Sequence, residues 1–137
     1  MAQELVATFD GPLNSFSINL NLQNASSTDI REVGISARTA KFPILFDTFG
    51  GFSGPATLVG VDGVDTEVVT ARFANFSPDK SVKFSGIDPD FQGDVSSGVR
   101  VGDFMGSRLL VLFADGSTGF GEFEPTNDGK LRAVATK

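Results

Sequence analysis

The stretch SFSINLNLQN, residues 15–24, alternates without a slip: Phe16, Ile18, Leu20 and Leu22 fall on one side, Ser17, Asn19, Asn21 and Gln23 on the other. Successive side chains of a strand point to opposite faces, so this pattern predicts a strand with one buried face and is incompatible with a helical stripe. The two-residue period returns in TEVVTARFANF, through Val69, Ala71 and Phe73, and again in SVKFS. Nowhere is the i, i+3, i+4, i+7 spacing of an amphipathic helix sustained.

Turn chemistry cuts the remainder into pieces. NASSTD at 24–29 and SPDK at 77–80, with Pro78 in second position, read as turns. Asp115-Gly116 and Asp128-Gly129 are hairpin signals, and a type I′ turn is expected at the first. Pro43 has no amide hydrogen and suits a strand start or a sheet edge. The glycine-rich region Asp47–Pro55 reads as a long loop, tucked back by Phe49 and Phe52. Leu109–Phe113 is continuously apolar, as in a strand covered on both faces. Roughly eight to ten short strands result, which predicts an all-β, antiparallel two-sheet β-sandwich of jelly-roll type. A single domain over 1–137 is expected, with fourteen Phe residues supplying bulk between the sheets.

Composition narrows the chemistry. The chain has no His, Cys, Tyr or Trp. A Ser-His-Asp triad, a His- or Cys-liganded metal and a Cys nucleophile are therefore excluded, and no disulfide framework exists. A net charge of −6, with no basic run, argues against nucleic acid and against anionic lipid. No apolar run reaches the length of a membrane-spanning helix, so membrane insertion is not expected. The start, MAQELVATFDG, lacks the basic and apolar regions of a signal peptide.

The stretch FSGIDPDFQGD, 84–94, is the main candidate site. Asp88, Asp90 and Asp94 stand at relative positions 1, 3 and 7, with Pro89 and Gly93 bending the chain between them. Calcium takes six to eight hard oxygen ligands, and a loop can deliver them from carboxylates and backbone carbonyls. The spacing departs from the helix-loop-helix calcium pattern, since Gln92 holds position 5 and no Glu follows at 12. Residue types alone leave a solvated turn and a calcium rim both open. Phe91, Gln92 and Arg100 beside it are candidate ligand-binding residues, Arg100 through its planar guanidinium. Arg100 could equally pair with Asp94 or Asp103. Asp62 and Asp65 read as a hairpin turn, and FGGFSGP, 49–55, lacks the Lys-Ser or Lys-Thr of a phosphate loop. Glu122 and Glu124 share a face but read as polar surface, not as a glycosidase pair.

The segments ANFSPDKSVKFSGIDPD and VLFADGST resemble those of β-sandwich domains found within large secreted or surface proteins of bacteria and archaea. Phe76, Pro78, Phe84, Asp88 and Asp90 carry the likeness, while Asp79 stands where a glycine is usual. Such domains are similar to carbohydrate-binding modules. The resemblance implies a non-catalytic, secreted or extracellular domain of a larger polypeptide. It also implies a structural calcium at Asp88, Asp90 and Asp94, and a polysaccharide or oligosaccharide as partner. The missing Trp and Tyr leave recognition to Asn, Gln, Arg and Asp, assisted by Phe. The alternative is a structural or adhesive spacer that binds no glycan.

Overall fold

The alternation of residues 19–25 is realised as strand β2, with Leu20 and Leu22 fully buried and Asn19, Asn21 and Gln23 on the outside. The computed structural model describes residues 3–91 and 98–137. In chain order the strands are β1 Glu4–Asp10, β2 Asn19–Ala25, β3 Ile30–Ser36, β4 Ile44–Ser53, β5 Thr57–Asp62 and β6 Val68–Phe76. They continue with β7 Ser81–Phe91, β8 Arg108–Phe113, β9 Thr118–Glu122, β10 Glu124–Pro125 and β11 Leu131–Thr136. Two 3-10 turns, Ala37–Thr39 and Val101–Phe104, complete the described elements.

All the strands pair antiparallel, as expected, but the two-sheet sandwich is not what forms. One continuous sheet, in the order β4-β7-β2-β1-β11-β9-β8-β3-β6-β5, rolls almost into a barrel, with β10 attached to β11. The joint that merges two layers into one lies between β9 and β11, where Thr136 pairs with Phe120. Glycine makes this approach possible. A Cβ on Gly119 would lie 2.7 Å from the Thr136 carbonyl group, and one on Gly121 would overlap the Val134 carbonyl oxygen. The terminal strands β4 and β5 are consecutive in the chain and leave a seam. One end of it is stitched by Phe46 N–H to Thr66 O, 2.9 Å, and Asp65 N–H to Phe46 O, 2.6 Å.

The buried apolar residues form one cluster inside the roll. Its spine is a run of phenylalanine rings in mutual contact: Phe123, Phe9, Phe104, Phe46, Phe49, Phe84, Phe73 and Phe76, with Phe52 bridging Phe84 and Phe73. Phe9 and Phe104 stack at 4.9 Å between ring centroids. Burial of each such side chain contributes about 1.5–3 kcal/mol.

Several segments differ from the sequence reading for local reasons. Residues 47–53, expected as part of a loop over Asp47–Pro55, continue strand β4 in pairing with β7, with Gly51 at a φ of +68°. Asp88 and Asp90 likewise belong to β7 and not to a loop. There β7 pairs only with β4, and Pro89, lacking an N–H, falls opposite the bulge between Phe46 and Thr48. The Asp115-Gly116 turn is not type I′, since only Gly116 has positive φ, +87°. Gly116 N–H bonds to Phe113 O at 3.0 Å and Phe113 N–H to Ser117 O at 2.9 Å, a type I turn closed by a glycine bulge. Thr126–Lys130 repeats the same arrangement around Gly129.

The two ends of the roll are unlike. Connections 26–29, 54–56, 77–80 and 114–117 are short and share one end, while 11–18, 37–43, 98–107 and 123–130, with the shorter 63–67, share the other. At the short end the fully buried Asn24 acts as a hub. Its Nδ2 donates to Thr28 O and Phe76 O, and its Oδ1 accepts from the Ser26 N–H and hydroxyl. Backbone groups that no strand pairs are satisfied this way.

Two outcomes test this fold. Gly121→Ala is expected to destabilise by about 1–3 kcal/mol or to prevent folding, because backbone at the joint must move to admit a methyl; urea denaturation reads the loss. Asp115 and Asp128 are held below the ordinary carboxylate range by hydrogen bonds, Asp115 from the Ser117 hydroxyl and amide, Asp128 from the Thr126 hydroxyl. A carboxylate with a depressed folded pKa adds stability above its unfolded pKa, near 3.8, and that stability is lost as pH falls through the folded value. The melting temperature should therefore fall on acidification below about pH 4, and less steeply in the Asp115→Asn, Asp128→Asn double variant.

Candidate functional site

The rolled sheet places its outward side chains in rows that cross the strands. One row reads Thr136, Phe120, Leu110, Gly34, Thr70, from β11 through β9, β8 and β3 to β6. On one side of it runs Glu122, Arg108, Ser36, Val68, and on the other Thr118, Leu112, Glu32, Arg72. Each row is fixed by strand register, so a slip of one residue would turn every member inward.

Gly34 leaves the middle row without a side chain at its fourth position, and a groove opens there. Its volume is about 650 Å³. Leu110, Leu112 and Gly34 supply an apolar floor, Phe120 one wall, and Glu32, Arg108, Thr70, Thr118, Thr136 and Lys137 the polar rim. Phe120 is 68% exposed, the most exposed large apolar side chain among the described residues. The glycines on either side of it, Gly119 and Gly121, serve the joint with β11, so the ring stands clear of its own strand.

The groove has the makings of a binding surface. It offers a flat aromatic face, a smooth apolar floor, three hydroxyls and planar charged groups that can both donate and accept. Among the described residues no His, Cys, Asp or Glu side chains gather in threes that could hold a metal ion.

The described residues of the sequence-predicted site, Asp88, Asp90, Phe91 and Arg100, lie elsewhere, around the long-loop end. Asp88 and Asp90 are exposed on one face of β7, opposite Thr48 and Leu45 of β4. Phe91, half-buried at the end of β7, meets the exposed Phe42 edge-on at 6.2 Å. The Arg100 guanidinium lies 4.8 Å over the Phe16 ring, and the Arg100 N–H donates to the Asp103 carboxylate at 2.7 Å. Asp94 and Gln92 fall outside the described residues. Glu122 and Glu124 point outward from either side of the buried Phe123 and line a shallow depression of about 320 Å³ with Arg132.

Sequence reading misses the groove because its residues are scattered. The apolar run Leu109–Phe113 places Leu110 in a strand covered on both faces, yet Leu110 is 40% exposed. The one available signal is Phe120 in TGFGE, a large apolar residue between two glycines at a position out of phase with the buried Phe123.

Comparison with family models, curated proteins and solved structures returns no match for this sequence.

A Cβ built on Gly34 would sit 3.5 Å from Leu110 Cβ and 3.6 Å from Thr70 Oγ1, ordinary contacts, on a backbone that any residue tolerates. Gly34→Ala should therefore raise stability by roughly 0.5–1 kcal/mol, since glycine inside a strand is entropically unfavourable. Chemical denaturation of the two proteins measures it.

Proposed function

We propose that this protein is a non-catalytic glycan-binding domain of the carbohydrate-binding-module kind, from a secreted or cell-surface polypeptide, and that it holds a sugar chain in the groove across β9, β8, β3 and β6. The reading rests above all on the exposed Phe120 ring standing at the edge of a groove opened by Gly34. Sugar rings present an apolar face of C–H groups and an equatorial belt of hydroxyls. Phe120 and the leucine floor match the first. Thr70, Thr118, Thr136, Arg108 and Glu32 match the second, with guanidinium and carboxylate each able to engage paired hydroxyls. A ligand pocket with apolar walls and a few placed polar groups is the usual form of a small-molecule site.

The resemblance drawn from the sequence favours the same class of ligand but a different place, the rim near Arg100, Phe91 and Gln92. The groove is the better candidate because its aromatic ring is the most exposed among the described residues and stands beside a recess lined by Leu110, Leu112 and Gly34. At the rim, the Arg100 guanidinium lies over the exposed Phe16 ring and Phe91 meets Phe42 edge-on.

Affinity electrophoresis through gels containing soluble polysaccharides, followed by calorimetry on any that retard the protein, tests the proposal. Phe120→Ala should weaken binding at least ten-fold by removing the stacking face. Gly34→Val should do the same by filling the floor, and circular dichroism should show both variants folded. Silence across the whole panel, or binding untouched by either substitution, would sink the glycan reading and leave a spacer domain.

A further inference from the structure

The floor of the groove is not level. Granted the glycan reading, on which the choice of sugar rests, the chemistry around its lowest point decides which substituent fits.

Gly34 lines the groove and is nonetheless buried. The recess above it is therefore narrow. It admits a small substituent, whereas a sugar ring must rest higher, on Leu110 and against Phe120. The sides of the recess are Leu110 of β8 and Thr70 of β6, the cross-strand partners of Gly34. A carbon at the Cβ position of Gly34 would lie 3.5 Å from Leu110 Cβ, 3.6 Å from Leu110 Cδ1 and 3.6 Å from Thr70 Oγ1. A methyl group lowered toward Gly34 thus meets apolar carbon on one side and a hydroxyl oxygen on the other.

The surroundings of the recess are polar on both sides of the row. Glu32 stands two residues from Gly34 on its own strand, and Arg108 is its diagonal neighbour on β8, on the other side. Both line the groove, and neither is in an ion pair among the described residues. Diagonal positions on a sheet lie about 7–8 Å apart, within reach of long side chains. Around one narrow recess there are then a hydroxyl that donates or accepts, a carboxylate that accepts and a guanidinium that donates. A plain sugar offers the recess a hydroxyl or a hydroxymethyl group, which would give up water there and regain only the Thr70 hydroxyl. The methyl of a 6-deoxy sugar fits but brings neither donor nor acceptor. An acetamido group brings all three: a methyl for the recess, an N–H for Thr70 or Glu32, and a carbonyl oxygen for Arg108.

We infer that the groove recognises an N-acetylated amino sugar, with the acetyl methyl seated over Gly34 between Leu110 and Thr70. The test is calorimetry with triacetylchitotriose and cellotriose, which differ only in an acetamido or a hydroxyl group on each ring. The methyl glycosides of N-acetylglucosamine and L-fucose form a second pair, fucose offering a methyl without an amide. Triacetylchitotriose should bind roughly ten-fold or more tighter than cellotriose, the range that one well-placed apolar group supplies. The N-acetylglucosaminide should bind tighter than the fucoside. Gly34→Ala raises the floor by one methyl and should bring the two trisaccharides within about three-fold of each other, with the variant at least as stable as the parent in urea. Saturation-transfer NMR should place the strongest transfer on the acetyl methyl protons. Cellotriose binding as tightly as triacetylchitotriose, no binding of triacetylchitotriose, a tighter fucoside, or a preference that survives Gly34→Ala would overturn the inference. If any of these occurs while a polysaccharide still retards the protein in a Phe120-dependent manner, this inference fails and the glycan reading stands. If no glycan binds, both fail together.

Discussion

The structure depends on how closely two backbones approach at one joint. Between β9 and β11 there is no room for a Cβ at either Gly119 or Gly121. Where side chains are absent, strands that would otherwise belong to facing layers can share a ladder pair, Thr136 with Phe120. That pair turns two layers into one rolled sheet. It also settles the surface, because the row from Thr136 to Thr70 runs unbroken only if β11, β9 and β8 are neighbours in a single sheet. With the joint opened, Phe120 would stand at the edge of one layer, and the groove would lose its β11 bank.

Inside, the phenylalanine spine explains how a rolled sheet of this size stays filled. A nearly closed sheet leaves a long, narrow interior, and flat rings in tilted or stacked contact pack it from end to end without polar atoms to satisfy. Phe9, Phe46, Phe76, Phe84, Phe104 and Phe123 are all essentially inaccessible. Tyr or Trp in those positions would each bring a hydroxyl or indole N–H that needs a partner, and the interior offers few. Among the described residues the buried polar side chains are Asn24, Ser26 and Ser107, and the Asn24 amide bonds backbone groups that β-pairing cannot reach at the crowded short-turn end. A rigid interior matters for the outside as well. Register and row alignment on the surface are fixed only as firmly as the inward residues of the same strands.

What is legible in the sequence is local. The alternation of Ile18 to Gln23, the turn at Pro78 and the breaks at Asp-Gly pairs mark strands and where they stop, and the all-β class follows from them. Phe16, read on the same buried face, instead stands 60% exposed ahead of the strand, which begins at Asn19. Pairing is not legible, because it joins residues far apart in the chain. Gly119 and Gly121 are plain in TGFGE, but nothing local says that β11 lies against them. Gly34 looks like an ordinary weak point in IREVGIS until Leu110 and Thr70 are known to flank it. Asp88 and Asp90 carry turn-like residues around Pro89, and only the bulge in β4 opposite shows how proline is accommodated in an edge strand. The same limit applies to the hairpin at Gly116. Asp-Gly announces a tight turn but does not distinguish type I′ from a type I turn with a glycine bulge, which differ by a single residue of loop.

The position of Gly34 bears on whether the protein binds anything at all. Glycine inside a strand is less stable than alanine by roughly 0.5–1 kcal/mol, and such a residue is of use only where the backbone or the space demands it. Here the backbone makes no demand, since φ is ordinary and a Cβ would meet its neighbours at van der Waals distance. Gly119 and Gly121 differ in this respect, for the fold excludes any side chain there. On the proposed reading, Gly34 keeps the groove floor low next to a 68% exposed aromatic ring, a use that a spacer domain would not give it. Local inconsistencies of this sort, where stability is forgone without a structural return, concentrate at functional sites. Packing alone does not require a glycine at position 34, whereas the proposed groove gives it a use.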